Sequence, residues 1–164
     1  MTTLPVAQRG EGVLKLISAP VAENEFGTDW LKQLSAVMHN TMLHRNGVGI
    51  AAPQVYVSKR VIIVASQPNI RYPDAPEMQP IVMVNPEIIE SSDAVLMGEE
   101  GCLSVMGERA EVARAASIRV RYCNVEGQEI TAVFTGFPAR IVQHEVDHLN
   151  GILFVDRVVD NALN

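Results

Sequence analysis

Apolar residues at helical spacing predict one helix near each end of the chain. The first helix begins after Thr28, a residue type favoured at the N-cap, and Gly47 suits its end. Four apolar residues would share its buried side: Leu31, Leu34, Met38 and Met42. The second helix extends from about Pro138 to Asn150, because proline suits the first turn and Gly151 suits the stop.

The chain between these helices carries strand patterns instead. Four strands are predicted from β-branched or alternating segments: 60–65, 81–84, 117–123 and 130–134. Asn85-Pro86 would close the second strand, and a turn at 124–127 would join the last two strands in a hairpin. The apolar segment Val13 to Ile17 favours a further strand, whereas the proline-rich segment 67–80 indicates a surface loop. This order predicts an α+β domain with antiparallel or mixed sheets packed around the C-terminal helix, together with an N-terminal helix.

Composition narrows the class of protein. A chain of 164 residues fits one domain, residues 1–164, and two cysteines imply no disulfide framework and a reducing compartment. No segment approaches the roughly 20 apolar residues of a membrane helix, and Met1 to Gly10 shows no secretory signal. The net charge of −6 disfavours a broad nucleic-acid surface. We therefore expect a soluble, cytoplasmic protein without membrane contact or nucleic-acid specificity.

The strongest chemical signal is the pattern HExxH at residues 144–148, inside the second predicted helix. His144 and His148 lie one turn apart on the same face of a helix, so both rings can bind one metal ion. Glu145 can then transfer the protons of the attacking water molecule. The pattern therefore indicates a hydrolytic metal site.

A solvated helix face is the alternative interpretation of the two histidines. Ile141 and Leu149 share their side of the helix, however, whereas Arg140 and Asn150 are expected elsewhere on it. An imidazole beside apolar residues needs a partner. This environment favours metal binding.

A catalytic metal site with two histidines lacks a third protein ligand. The carboxylates downstream and the histidines upstream are weak candidates: Asp156, Asp160, His39 and His44. Cys102 is the better candidate, because two glutamates and Gly101 precede it, a context unlike a buried strand. Cys123 ends an alternating strand and fits the commoner role of a buried thiol. One thiolate and two imidazoles would leave one coordination position open.

The segment 47–52 matches the letters of GxGxxA, a dinucleotide-binding pattern. That pattern requires a strand before it and a helix after it, whereas here a helix precedes it and Pro53 follows. We therefore reject a dinucleotide site. The small residues instead suit close approach of the backbone to a ligand, and the amide of Gln54 can polarise a carbonyl.

Three segments together resemble the peptide deformylase family. Residues 47–54 (GVGIAAPQ) match the family motif GxGxAAxQ, and residues 100–104 repeat its EGCLS motif. Residues 143–151 (QHEVDHLNG) match QHExDHLxG. The order and spacing also match, and the resemblance extends from about Val13 to Asp156.

The resemblance implies hydrolytic removal of the N-formyl group from formyl-methionine at the start of nascent polypeptides, with release of formate. It implies three ligands for one divalent metal ion: Cys102, His144 and His148. Fe(II) would be the native ion, with zinc, nickel or cobalt as substitutes. Glu145 would act as proton shuttle, and the Gln54 amide and the Leu103 backbone N–H would form the oxyanion hole.

The resemblance also implies where the substrate binds. Three apolar residues would hold the methionine side chain: Val48, Phe137 and Ile141. Arg109 would lie near the substrate backbone. The backbone at Gly49 and Gly101 would pair with the peptide as an added strand.

The chain departs from the family pattern at two positions where proline is common, Met106 and Ala113. Beyond Asp156 it carries Arg157 as its only base, so a basic C-terminal helix that docks on the ribosome is not expected. We expect a monomer with at most transient ribosome contact. Two other interpretations stay open at this stage: a different HExxH hydrolase such as a peptidase, and a metal-binding but catalytically inactive relative.

Overall fold

The computed structural model describes residues 2–158 and has an α+β architecture, as predicted. Its two α-helices are α1 (Asp29–His44) and α2 (Gly136–Leu149). The strands are β1 (Gly49–Ala51), β2 (Val61–Val64), β3 (Ile81–Ser91), β4 (Val95–Cys102), β5 (Val105–Ala115), β6 (Ser117–Cys123) and β7 (Glu129–Thr135). Five strands form one antiparallel sheet in the order β1-β2-β3-β6-β7, and β4 and β5 form a separate hairpin. In the described residues, no helix is long and apolar enough to cross a membrane.

Helix α1 begins and packs as predicted. The Thr28 hydroxyl accepts a hydrogen bond from the Leu31 N–H at 3.3 Å, and the four predicted apolar residues are all buried. Each such side chain stabilises the fold by about 1.5–3 kcal/mol relative to exposure. The end of the helix differs from expectation, because Asn46 rather than Gly47 takes the left-handed conformation, with φ of 57°. The Gly47 N–H then donates to the Met42 carbonyl and closes the helix.

Helix α2 packs on the face of the five-stranded sheet and is buried along most of its length. It begins at Gly136, two residues before the predicted start at Pro138, and Gly151 ends it with a φ of 75°. Ile141, Val142 and Leu149 join side chains of β2, β3 and β6 in one apolar cluster. The helix that carries HExxH is therefore the centre of the fold.

Two predicted strands are wrong in detail. Val13, Leu14 and Lys15 belong to a 3₁₀ helix (Gly12–Lys15), and Leu16 and Ile17 follow it exposed, so the predicted strand is absent here and only Leu14 of its apolar residues is buried. Strand β3 continues past Asn85-Pro86, where a bulge interrupts its register with β6. Asn85 adopts a φ of 51°. Its side-chain oxygen accepts a hydrogen bond from the Val21 N–H, and its side-chain nitrogen donates one to the Val21 carbonyl. The bulge therefore accommodates Pro86, and β3 continues beyond it. The other predicted strands and the hairpin of β6 and β7 are confirmed.

The hairpin of β4 and β5 is not anticipated by the hydrophobic pattern. It pairs Val95 with Ala115 at one end and Gly101 with Arg109 near the other. Cys102 is the last residue of β4, and the tight turn at Leu103 and Ser104 follows it. The hairpin therefore brings the EGCLS segment against α2.

Candidate metal centre and active site

Three side chains of the candidate metal centre converge from two elements. Cys102 comes from the end of β4, and His144 and His148 come from successive turns of α2. One potential ligand atom of each lies within 4.8 Å of the other two, and all three residues are buried. The distance from Cys102 Sγ to His148 Nε2 is 3.3 Å. The structure thus brings together the three predicted ligands, and His39 and His44 stay apart on α1.

The chemistry of this donor set fits a divalent transition metal. Burial alone would raise the pKa of the Cys102 thiol, but the neighbouring His148 and His144 hold it well below its usual value, which favours the thiolate. Among the described residues, the buried Nδ1 of His148 has no hydrogen-bond partner. A soft thiolate with two imidazoles suits iron or zinc better than magnesium or calcium.

Glu100 orients the His144 ring through a hydrogen bond to Nδ1. Its Oε1 lies 2.8 Å from His144 Nδ1, which leaves Nε2 as the ring nitrogen that can face an ion. Burial would raise the pKa of Glu100, but hydrogen bonds from Arg114 and His144 hold it far below its usual range. Glu100 therefore stays ionised as a fixed acceptor for the imidazole.

Two buried arginines neutralise this carboxylate. Arg114 donates to both oxygens of Glu100 at 2.9 Å and to Asp147 at 2.6 Å. Arg140 donates to Glu100 at 2.7 Å, although the pattern of α2 placed it away from the core side. That prediction is wrong, because Arg140 is only 7% exposed. A charged residue can occupy this site because every charge in the cluster has a partner.

A glycine on β4 makes room for Arg140. A Cβ atom on Gly98 would lie 2.7 Å from Arg140 Cζ. The guanidinium passes over this position and also donates to the carbonyls of Leu96 at 2.7 Å and Val112 at 2.8 Å. Arg140 thus ties the middle of the β4–β5 hairpin to α2 and to Glu100.

Glu145 lies beside the metal ligands with a carboxylate that the fold does not use for its own stability. Its Oε1 is buried and has no hydrogen-bond partner among residues 2–158. Burial raises the pKa of Glu145, only partly offset by the two histidines. A carboxylate in this environment is a stronger base than one in water, which suits proton transfer.

Gln54 is held close to the metal ligands by the 3₁₀ helix Ala52–Val55. Its Oε1 accepts from the Ala51 N–H at 2.9 Å, which orients the amide. Its Nε2 donates to Ser104 Oγ at 3.0 Å and lies 3.6 Å from Cys102 Sγ. The donor end of the amide therefore faces the candidate site, and Leu103 lines the same pocket.

The pocket beside the ligands contains most of the predicted substrate residues. Its walls include Val48, Gly49, Gly101, Phe137 and Ile141, together with Gln54, Cys102, His144 and Glu145. Arg109 lies outside this pocket, in a neighbouring groove. Apolar walls beside a charged centre suit an apolar side chain that is attached to a polar reacting group.

Sequence reasoning missed Tyr72, which covers one side of the pocket. This residue lies in the loop between β2 and β3, and its ring is 5.2 Å from that of Phe137. The Gly101 N–H donates to the Tyr72 hydroxyl at 2.9 Å. An aromatic residue in the predicted surface loop was the only available signal.

The two departures from the family motif are not among the candidate metal ligands, although Met106 lines a groove together with Cys102. Met106 is exposed at the start of β5, and Ala113 pairs with Met97 in the middle of the hairpin. Asp160 lies outside the described residues. The same holds for the rest of the tail after Val158, where no ribosome-docking helix was expected.

Comparison with known proteins gives one consistent result. The family model of polypeptide deformylase matches residues 3–163. Peptide deformylase 2 of Shewanella oneidensis is 49% identical over 154 residues, which cover 94% of this chain and 83% of the relative. The class I type b peptide deformylase of Acinetobacter baumannii, solved with Met-Ala-Ser bound, is 66% identical with a TM-score of 0.94, and the match covers 96% of this chain and 99% of that one. The peptide deformylase of Thermotoga maritima is 34% identical with a TM-score of 0.86, over 98% of this chain and 100% of that one. The chain therefore belongs to the polypeptide deformylase family.

Proposed function

We propose that the protein, as a single catalytic domain, is a metal-dependent hydrolase that removes the N-formyl group from the formyl-methionine of nascent polypeptides and releases formate. The observation that carries this proposal is the convergence of Cys102, His144 and His148 within 4.8 Å, with Glu145 beside them. Family membership and the Met-Ala-Ser complex of the Acinetobacter relative support a peptide as substrate. A catalytically inactive relative is not supported, because no group that the chemistry needs is missing.

Cys102, His144 and His148 would hold one divalent ion, with Fe(II) as the proposed native metal and zinc, nickel or cobalt as substitutes. When bound, such an ion supplies Lewis acidity, which lowers the pKa of water towards neutrality and polarises a carbonyl group. Glu100 keeps His144 in the orientation that binding requires. The monomeric state, the cytoplasmic location and transient ribosome contact stay predictions.

Proton transfer falls to Glu145 in this mechanism. Its carboxylate accepts a proton from the water that attacks the formyl carbon, and the C–N bond breaks as the same proton passes to the leaving amine. Negative charge develops on the formyl oxygen during attack. We assign its stabilisation to the Gln54 amide and the Leu103 backbone N–H, and one such donor typically contributes about 2.7–4 kcal/mol.

Val48, Phe137 and Ile141 would enclose the methionine side chain, and the backbone at Gly49 and Gly101 would pair with the peptide. Such pairing uses main-chain groups and therefore reads little sequence beyond the first residue. That property suits an enzyme that meets many different nascent chains.

The decisive experiment compares two cysteine variants. Anaerobically purified protein should release formate from formyl-Met-Ala-Ser but no acetate from acetyl-Met-Ala-Ser, and metal analysis should find about one ion per chain. Cys102→Ser should lose both the metal and the activity. Cys123→Ser is the matched control and should keep both, because Cys123 lies on β6 away from the ligands. Unchanged metal content in Cys102→Ser would exclude this cysteine as a ligand.

Gly49→Ala should impair the same chemistry by steric means. A Cβ at this position would lie 2.7 Å from Glu145 Oε2 and 2.7 Å from Ile141 Cγ2, so the catalytic carboxylate must move. A displacement of about 1 Å can cost on the order of 10²-fold in rate, and we expect that loss in kcat/KM.

Gly12→Ala is the control for Gly49→Ala, because a Cβ at Gly12 meets nothing within 4 Å. It should leave kcat/KM unchanged. Thermal unfolding should show that both variants are folded. Full activity in Gly49→Ala would mean that Glu145 needs no fixed position.

A further inference from the structure

The two groups assigned to the oxyanion hole lie on different elements. Gln54 belongs to the 3₁₀ helix Ala52–Val55, and Leu103 lies in the turn between β4 and β5. Among residues 2–158, no backbone hydrogen bond joins this helix directly to that turn. The side-chain hydrogen bond from Gln54 Nε2 to Ser104 Oγ uses the amide that must also bind the substrate oxygen. A contact that fixes both donors and leaves them free must come from another part of the chain.

The N-terminal strap, defined as residues 6–9, contacts both elements. It forms neither a helix nor a strand, and Ala7 is fully buried. The Ala7 N–H donates to the Gln54 carbonyl at 2.7 Å, and the Arg9 N–H donates to the Ser104 carbonyl at 2.8 Å. Both hydrogen bonds use main-chain carbonyls, so neither occupies an oxyanion donor. The strap therefore bridges the 3₁₀ helix and the turn.

Gln8, within the strap, holds the residue whose N–H is assigned to the oxyanion hole. Its Nε2 donates to the Leu103 carbonyl at 3.0 Å and to the Val6 carbonyl at 3.2 Å, so both N–H bonds of the amide are used. The carbonyl and the N–H of Leu103 flank the same Cα atom. Holding the carbonyl therefore limits the backbone rotation that would turn the N–H away. The Leu103 N–H itself donates to no backbone acceptor among residues 2–158.

Glu11 attaches Gln8 to the other donor's helix. One oxygen of Glu11 accepts from the Gln8 backbone N–H, and the other accepts from the Tyr56 hydroxyl at 2.8 Å. Tyr56 directly follows the 3₁₀ helix that carries Gln54 and adopts a left-handed φ of 69°. Gln8 is thus connected to the Leu103 turn through its side chain and to the Gln54 helix through its backbone.

We propose that Gln8 is a positioning residue that fixes the Leu103 N–H for the oxyanion, at a distance from the Gln54 amide that the strap sets. The inference rests on the proposed function, because it takes these two groups as the donors. Gln8 is neither a candidate metal ligand nor part of the pocket wall, so it acts through Leu103. Such donors contribute when they are already placed where the charge develops. Loss of Gln8 therefore lowers turnover rather than substrate binding.

Two substitutions of Gln8 test this role. Gln8→Met keeps the length of the side chain and removes its donors. Gln8→Glu keeps its shape but places an acceptor against the Leu103 carbonyl, so a shared loss shows that the hydrogen bond rather than packing matters. In both variants kcat for formyl-Met-Ala-Ser should fall about 10-fold, less than the roughly 10²- to 10³-fold cost of removing a donor outright. KM, the metal content and the calorimetric affinity for the product Met-Ala-Ser should change less than about twofold, because the product has no formyl oxygen.

A control variant and a measurement independent of turnover complete the test. Gln33→Met is the matched control, because Gln33 is exposed on α1, and it should leave kcat unchanged. Backbone ¹⁵N relaxation of the zinc-loaded protein reports the order of each amide. The order parameter of the Leu103 amide should be lower in Gln8→Met than in the parent protein, and it should stay unchanged in Gln33→Met.

The outcomes separate this inference from the proposed function. Unchanged kcat in both Gln8 variants, or an unchanged order parameter at Leu103, would overturn the positioning role and leave the proposed function intact. A fall in kcat that is matched by loss of metal would also overturn it, because the damage would then extend to the ligands. Absence of formate release by the parent protein would overturn the proposed function instead. A lower order parameter at Leu103 in Gln8→Met would still support the action of Gln8 on this amide.

Discussion

Glu145→Gln is expected to lower kcat by about 10²- to 10⁴-fold without changing the metal content, because the amide keeps the shape of the side chain but cannot accept a proton. The buried Glu145 Oε1 has no hydrogen-bond partner among the described residues, so the fold should tolerate the substitution. Burial raises the pKa of this carboxyl, which strengthens it as a base, and no other described carboxylate lines the pocket except the neutralised Glu100. Formate release and metal analysis on the same preparation measure both quantities.

Glu23→Gln is the control for this experiment. Glu23 is exposed in a short 3₁₀ helix far from α2, so its replacement should leave kcat unchanged. Near-normal turnover in Glu145→Gln would contradict the assignment of Glu145 as the catalytic base. Loss of metal together with loss of turnover would instead show that Glu145 supports the ligand geometry.

The parts of the site that lie within one helix could be predicted, because their geometry is local. His144, Glu145 and His148 are fixed relative to one another by helical spacing as soon as α2 forms. Cys102 reaches them from a different hairpin, and no local pattern specifies that approach. Cys102 was assigned as a metal ligand for two reasons. The two histidines left a third ligand to be found, and residues 100–104 match the EGCLS motif of the family.

The hairpin of β4 and β5 was missed because charged residues interrupt its apolar alternation. Glu100 and Arg114 indicate exposed positions when each is considered alone. In the structure they are 3% and 5% exposed and form an ion pair, which offsets part of the cost of burying both charges. Arg140 was misplaced on α2 for a different reason: it precedes His144 by four residues and therefore shares that face of the helix, which the prediction overlooked. A pattern of single residues cannot show a partner that lies on another element.

The loop between β2 and β3 shows a second limit of local reasoning. Its proline content correctly predicted irregular backbone between Gln67 and Pro80. The position of Tyr72 over the pocket depends on contacts with Phe137 and Gly101, which belong to other elements.

Arg114→Met is expected to lower the free energy of unfolding by about 3–5 kcal/mol, the usual cost of removing one partner from a buried ion pair. The variant leaves Glu100 with only Arg140 and His144, and it leaves Asp147 with the half-exposed Arg157. Because the pKa of Glu100 in the folded state lies below its ordinary value, this stabilisation is fully present at neutral pH and is lost only in acid. Urea unfolding of the metal-free protein near pH 7 measures the difference.

Arg121→Met is the matched control for Arg114→Met, because Arg121 pairs with Glu87 and Glu129 on the exposed side of the sheet. Surface pairs of this kind contribute about 0–1 kcal/mol, so the control should unfold almost as the parent protein does. Arg114→Met should also weaken metal binding by about 10- to 100-fold, because a less constrained Glu100 orients His144 less well. Equal stability and equal metal affinity in the two variants would show that the buried network neither holds the hairpin on α2 nor supports the ligand. A loss of stability with unchanged metal affinity would mean that Arg114 holds the hairpin on α2 but is not needed for the ligand. In that case Arg140 alone would suffice to keep Glu100 hydrogen-bonded to His144.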